Sequence, residues 1–479
     1  MGTWKAHTPA VIHRRDFLRA SLAGALSAAL TTRGRAQQQN DSCPNIVVIL
    51  MDTARKDHLS CYGYTRETTP FLRRLADESR VYTNAYSTSC WTVPAHGSLF
   101  TGLYAASHAA TWEHYRLDEH LTTVAQVLRS IDYRTIGICE NPALRANLGF
   151  AKGFDSYSIP RLLPRSADSN ALREFDAAVR VEDTRPFFIF VNLVGPHDPY
   201  NSAGQFANCF LTDPAYKDAV YIDFLDVLVK GRPLGEPWLT HLVEHYDAEL
   251  RYTDYLVMKM VEVLRAYRKW DNTAFIVVAD HGENLGDHGM LNHQFCLYES
   301  VVRVPLLVHF PELFPAGSQD TNFVQLTDLF PTVLRLADLD PARYPNQGRS
   351  LLPGETLPQR PVICEYYEHA RFRAVKTADR RWRNPRVRRF KRRLTSIRFE
   401  GMKLIRGSDG RQELFDLEND PEETRDLSGM PTFAAVKDDL AYRMQQFLKQ
   451  CRTAQPPPTE KSVPLDEEAE DALKALGYL

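Results

Sequence analysis

Three stretches of this 479-residue sequence place metal-ligating or proton-transferring groups directly after apolar runs. Asp52 follows Ile46–Met51, His197 comes shortly after Phe187–Val194, and Asp280-His281-Gly282 follows Ala274–Ala279. Two carboxylates and an imidazole (Asp52, Asp280, His281) can hold one divalent cation, and that cation lowers the pKa of a neighbouring hydroxyl enough to make it a nucleophile. The hydroxyl on offer is Thr92, within residues 88–102, TSCWTVPAHGSLFTG, just before an expected helix start. Free backbone N–H groups and the helix dipole favour an anionic group at such a place. An isolated Thr there is more commonly an N-cap, a role compatible with the reactive one, so the company of Asp52, Asp280 and His281 carries the reading.

The elements that must position these groups follow from periodicity. Continuous apolar runs ending in Asp or His read as buried parallel strands that stop in polar loops. Helices are expected between them, over Pro70 to Arg80, Leu121 to Ile131 and Trp238 to Lys269, the last with Leu250, Val257, Val261 and Leu264 on one face. This alternation predicts an α/β fold with a large doubly wound, mostly parallel sheet, whose ligands bind beyond the carboxyl ends of the strands. The three chemical strand ends are therefore expected to converge. After residue 350 the runs shorten (361–364, 396–399, 402–405 and 413–417), which predicts a small antiparallel sheet. A helix from about Thr432 to Cys451, a Pro-rich linker at 456–458 and an acidic last helix complete the chain. The expected domains are an export signal at 1–36, a catalytic domain at 44–350, an antiparallel subdomain at 351–430 and a helical tail at 431–479.

Composition is that of a globular protein, with 44% hydrophobic and 25% charged residues. The 60 acidic and 58 basic residues nearly cancel, so no global field calls for a nucleic-acid partner. Arg14-Arg15 before the apolar stretch Leu18–Leu30, with a cleavage candidate at Gly34-Arg35-Ala36, reads as a twin-arginine export signal. The stretch is too short to span a bilayer comfortably, so the mature protein is expected in the periplasm or outside, exported already folded by the twin-arginine machinery. Eight irregularly spaced cysteines show no CxxC pair, and one or two disulfides are compatible with an oxidising compartment. Twelve of the 23 residues from Arg371 to Arg393 are Lys or Arg. A solvated loop is the bland account of this basic insertion; a landing strip for a polyanion, such as a sulfated polysaccharide or an anionic membrane surface, is the sharper one.

From Pro44 to Leu479 the chain resembles the sulfatase family of the alkaline-phosphatase superfamily. The blocks that carry the resemblance are Met51-Asp52-Thr53, Cys61-Tyr62-Gly63-Tyr64, Thr92-Val93-Pro94-Ala95-His96 with Leu99-Phe100-Thr101-Gly102, and Gly195-Pro196-His197-Asp198-Pro199-Tyr200. Asp280-His281-Gly282-Glu283, Tyr298-Glu299 with Arg303-Val304-Pro305-Leu306, and Glu413–Glu423 continue the family's order. The resemblance implies hydrolysis of a sulfate, phosphate or phosphonate ester on a small or polymeric anionic substrate. It implies Asp52, Asp280, His281 and Thr92 as ligands of one divalent ion, whether calcium, magnesium, manganese or zinc, and leaves open a second metal through His197 or His293. It assigns catalysis to Thr92, His197 and His293, and substrate binding to Arg55, His96 and Gln294.

The pattern also departs from the family. Thr92 and His96 stand where sulfatases carry the Cys or Ser that becomes formylglycine and its Arg, so no formylglycine is expected. Thr53 replaces a second Asp, His281 a common Asn and Gln294 a sulfate-gripping Lys, which moves the site away from a purely calcium-type cage. A threonine nucleophile resembles the phosphodiesterase and phosphonate-hydrolase side of the superfamily. A catalytically silent, polyanion-binding member and a transferase passing the group to an alcohol are the other readings carried forward.

Overall fold

Asn45–Met51, entirely apolar after its first residue, forms β1, the fully buried centre of the main sheet in the computed structural model. The structure describes residues 43–160, 169–201, 204–217, 224–230, 235, 237–354, 359–368 and 380–454. The export signal and the acidic last helix lie outside these residues, as does the basic insertion up to residue 379.

Seven further strands join β1: β2 (Arg80–Tyr82), β3 (Arg134–Cys139), β4 (Ser156–Ser158), β5 (Phe187–Leu193), β6 (Thr273–Val278), β7 (Leu306–His309) and β8 (Ser318–Asp320). Their order is β8-β2-β7-β6-β1-β5-β3-β4. The five strands from β6 to β4 are parallel, and β7 runs against both its neighbours. The doubly wound, mostly parallel sheet expected from the apolar runs is thus present. Every residue of β1, β5 and β6 is buried, the condition under which a strand shows no alternation.

Helices occupy the connections, at Pro70–Ala76, Val124–Ser130 and Trp238–Ala266. The first stops four residues short of the expected Arg80, which instead opens β2. Thr123 begins the second with a capping box, its hydroxyl accepting from the Gln126 N–H while the Gln126 side chain accepts from the Thr123 N–H. The long third helix buries Leu250, Val257, Val261 and Leu264, as its apolar stripe requires.

The C-terminal sheet is an antiparallel meander of β9 (Val362–Tyr366), β10 (Leu394–Phe399), β11 (Met402–Gly407) and β12 (Gln412–Asp416). Its inner residues Ile363, Ile397, Leu404 and Leu414 pack with Leu440 and Met444 of the helix Ala434–Ala454, and with Tyr104 from the larger part. Its first strand also reaches the segment before Thr92: the Glu365 N–H donates to the Thr88 carbonyl at 2.9 Å, and the Ser89 hydroxyl donates to the Glu365 carbonyl at 2.7 Å. The segment leading into Thr92 is therefore clamped by the C-terminal sheet. All eight cysteines are free thiols, seven of them at least partly shielded from solvent and only Cys209 exposed, so the bridges allowed by composition are not formed. Among the described residues no helix is long and apolar enough to cross a membrane.

Candidate active site

Strand register decides which side chains meet. Leu50 of β1 pairs with Val278 of β6, so two residues further on Asp52 lies level with Asp280. On the other side Met51 pairs with Leu193, and Asn192 of β5 pairs with Cys139 of β3, which brings Asn141 alongside. Four adjacent carboxyl ends thereby deliver Asp280, Asp52, Asn192 and Asn141 to one place. A Cβ on Gly282 would sit 2.1 Å from the Ser300 carbonyl oxygen, so the turn after His281 has room only for glycine.

One carboxylate oxygen of Asp52, Oδ2, accepts from Asn141 Nδ2 at 2.8 Å and Asn192 Nδ2 at 3.1 Å. Oδ1 of Asp280 accepts the backbone N–H groups of His281 at 2.9 Å and Thr53 at 3.2 Å. The remaining oxygens, Asp52 Oδ1 and Asp280 Oδ2, are buried with no hydrogen-bond partner among the described residues. The His281 Nδ1–H donates to the Gly282 carbonyl at 2.9 Å, which leaves Nε2 with its lone pair, 3.3 Å from Asp280 Oδ2. Ligand atoms of Asp52, Asp280 and His281 all lie within 4.8 Å of one another. Two buried, half-satisfied carboxylates side by side are costly, and a divalent cation between them and the imidazole removes that cost. The donor set fits such an ion.

Electrostatics agree with the geometry. Burial and the charge of Asp52 push the Asp280 carboxyl well above the usual range. For Asp52 burial works in the same direction, but His197, then His281 and the Asn141 amide, outweigh it and hold the group low. Burial and neighbouring His293 push His281 well below the ordinary imidazole value, and burial with His197 does the same for His293. Both rings are neutral, the form that binds metal.

Thr92 is the first residue of the helix Thr92–Thr101, and Trp91 is its N-cap. The threonine is therefore neither before the helix nor its cap, and its Oγ1 turns to the cluster, 3.5 Å from His281 Nε2 and 3.5 Å from Asn141 Nδ2. His96, one turn later, binds the Thr92 carbonyl through Nδ1 at 2.9 Å, and the same nitrogen lies 3.7 Å from Asp280 Oδ2. Packed edge-on against Phe100 and Phe190 and driven by burial to a pKa of about 4, it is a neutral strut behind the hydroxyl.

His293 comes to the site through a short hairpin in which Asn284 pairs with Asn292, which sets Glu283 opposite His293. Glu283 Oε1 lies 3.3 Å from His293 Nδ1. The His293 ring is 4.3 Å from that of His281 and 5.1 Å from that of His197, centre to centre. His197 donates Nδ1–H to the Asp198 carbonyl at 2.6 Å. Gln294 is buried beside His293 in the chain. Arg55 is differently occupied: its guanidinium holds Asp57 at 2.7 Å, Asp287 at 2.5 Å and the Glu283 carbonyl at 3.1 Å. With Nε–H also on Asp57, four of its N–H groups are spent on the loops around the site.

Asn141 and Asn192 were not among the expected residues. Asn192 left a signal, as the one amide inside the apolar run 187–194; Asn141, before Pro142, looked like an ordinary turn. Tyr246 was equally unforeseen. Its hydroxyl donates to the Thr53 carbonyl at 2.9 Å and accepts the Arg55 N–H at 2.7 Å, fixing the loop after Asp52, where Thr53 has a left-handed φ of 55°.

Comparison with known proteins bears on the family and the fold. A family model described as Sulfatase matches residues 44–339, and one described as N-sulphoglucosamine sulphohydrolase, C-terminal, matches residues 286–450. An ulvan-active sulfatase of Formosa agariphila is 22% identical over 441 residues, covering 85% of this chain and 80% of that protein. A multifunctional alkaline phosphatase superfamily protein of Trinickia caryophylli is 24% identical, covering 83% of this chain and 94% of its own. The crystal structure of a phosphonate monoester hydrolase of Agrobacterium radiobacter superposes with a TM-score of 0.69 at 21% identity, covering 85% of this chain and 96% of that one. With the family model spanning well over half of its length, the chain belongs to the sulfatase family, a family of sulfuric and phosphoric ester hydrolases.

Proposed function

We propose that this protein hydrolyses sulfate esters on an anionic polysaccharide, with Thr92 as the attacking group and one divalent cation held by Asp52, Asp280 and His281. The observation that carries the reading is the Thr92 hydroxyl, at the start of a ten-residue helix and 3.5 Å from His281 Nε2, inside a cluster with two unpartnered buried carboxylate oxygens. A bound divalent cation supplies positive charge that lowers the pKa of an adjacent hydroxyl and offsets the charge of the ester oxygens. Thr92 gives up its hydroxyl proton to water and Oγ1 attacks the sulfur as the bond from sulfur to the ester oxygen breaks, with the positive end of the helix dipole favouring the anionic oxygens. Asn141 donates toward the Thr92 oxygen, and His197 gives a proton to the departing alkoxide. Water then attacks the sulfated threonine and frees it. His293, oriented by Glu283, stands beside His197 on the leaving-group side.

Phosphate and phosphonate esters are the second reading, favoured by Thr92 itself, because threonine cannot become the formylglycine of most sulfatases. The likeness to a phosphonate monoester hydrolase supports it. A polymeric substrate is supported by the ulvan-active relative and by the basic insertion. The Arg14-Arg15 signal supports a periplasmic or secreted location. Rates on an aryl sulfate, an aryl phosphate diester and a phosphonate monoester rank the substrate classes. Thr92→Ala is expected to lower kcat on the best of them by about 10³–10⁴-fold or more while leaving the fold intact by circular dichroism. Wild-type rates in that variant on all three would remove Thr92 from the chemistry.

A further inference from the structure

A pocket of about 210 Å³ lies where the end of the basic insertion meets the C-terminal sheet. One wall is the segment Met290–Tyr298, which also carries His293. Phe295 lines the pocket and is two residues from His293, at most about 7 Å along the chain. Arg389, Arg392 and Arg411 line it as well, and Glu413 is the single carboxylate among the described residues of the lining.

These guanidinium groups are poorly satisfied among the described residues. The Arg392 side chain is 13% exposed, its Nη1 stands 3.7 Å from Asp409 Oδ2, and its buried Nε has no hydrogen-bond partner among the described residues. Arg411 approaches the same Asp409 oxygen only to 3.6 Å. Arg389 lies exposed over the Phe390 ring at 4.7 Å. Glu413 accepts the Tyr298 hydroxyl at 3.3 Å, and burial pushes its pKa up, which weakens the opposing charge. The rings of Phe295 and Phe390, 5.4 Å apart, add an apolar wall.

We infer that this pocket binds one anionic sugar ring of the polymer, next to the ring whose ester is cleaved. Drug-sized ligands fill about 300–1,000 Å³, so this volume suits a single ring. Planar guanidinium forks pair with sulfate or carboxylate, and the apolar sugar face meets the phenylalanines. The inference rests on the polysaccharide reading above and adds the residues that read the neighbouring ring.

The test separates the two. In the Thr92→Ala background, which leaves the substrate intact, a sulfated tetrasaccharide, a uronate tetrasaccharide without sulfate and a neutral tetrasaccharide are titrated calorimetrically. At least one anionic chain is expected to bind and the neutral one not; whichever binds identifies sulfate or carboxylate as the anion. Adding Arg389→Ala and Arg392→Ala is expected to weaken binding by roughly tenfold or more, with partial rescue by Arg392→Lys. Unchanged affinity, or equal binding of the neutral chain, overturns the subsite. Should the double variant fail to fold, the exposed Arg389→Ala alone carries the same comparison, with a several-fold loss expected. Absence of aryl-ester hydrolysis by the wild type would defeat the hydrolase reading alone, while the titrations would still decide the pocket.

Discussion

Two buried clusters of charge in this protein are built in opposite ways. At the junction with the C-terminal sheet, Lys403 Nζ binds Glu299 at 2.9 Å and Glu423 at 2.8 Å, Arg398 binds the other Glu299 oxygen at 2.9 Å, and the Glu299 N–H closes on Glu423 at 2.6 Å. Each of the four carboxylate oxygens has a cation or an N–H of the chain within 2.9 Å, Glu423 Oε1 through its ion pair with Lys403 alone. At the strand ends, Asp52 and Asp280 each keep one buried oxygen unanswered. Burial alone therefore does not mark a functional site; two adjacent buried carboxylates with no Lys or Arg paired to them among the described residues point to one, since a ligand can complete them.

The comparison breaks most visibly at the junction. Lys403→Met leaves two buried carboxylates facing each other and is expected to cost about 3–5 kcal/mol, read as a lowered urea midpoint with unchanged slope. A loss below ~1 kcal/mol would mean the cluster is not self-satisfied as described.

The strand-end cluster should respond to an ion instead. Manganese or zinc at about a hundred times its dissociation constant is expected to raise stability by about 2.7 kcal/mol after chelator treatment, measured by thermal unfolding. In Asp52→Asn the metal-dependent gain should shrink while the metal-free protein holds or improves, because one of two repelling carboxylates is gone. A metal-free protein destabilised by this change would show that Asp52 serves the fold rather than an ion.

The effect that is smallest at any one step of a pH unit comes from titration. Burial, opposed by Lys403 and reinforced by Glu299, raises Glu423 from 4.5 to about 7. The folded state thus holds this proton more tightly than the unfolded one, so the contribution is complete below pH 4.5 and is lost as pH rises toward 7, by up to about 1.4 kcal/mol per unit. Glu423→Gln should flatten that slope in urea unfolding at pH 5, 6 and 7; an undiminished slope would assign it to another group.

Legibility in the sequence tracked locality. β1, β5 and β6 were visible because strands buried on both faces are continuously apolar, and the long helix because its apolar stripe repeats. The short β2, β4 and β8 left no such trace: three residues carry no period, and Arg80 read as the end of a helix until pairing with β7 and β8 claimed it. Asp52, Asp280, His281 and Thr92 announced themselves by position after strands or at a helix start. The orienting amides Asn141 and Asn192 did not, because their role depends on which strands lie side by side.

What the sequence determined alone was therefore the chemical inventory and the two architectures, since apolar run length and residue type act locally. Only the tertiary structure decided that Asp52 stands level with Asp280, that Arg55 is spent on Asp57 and Asp287, and that the C-terminal sheet grips the chain just before Thr92. Those outcomes depend on strand order and on contacts between residues up to hundreds of positions apart, which the packing of the whole core selects and no local pattern encodes.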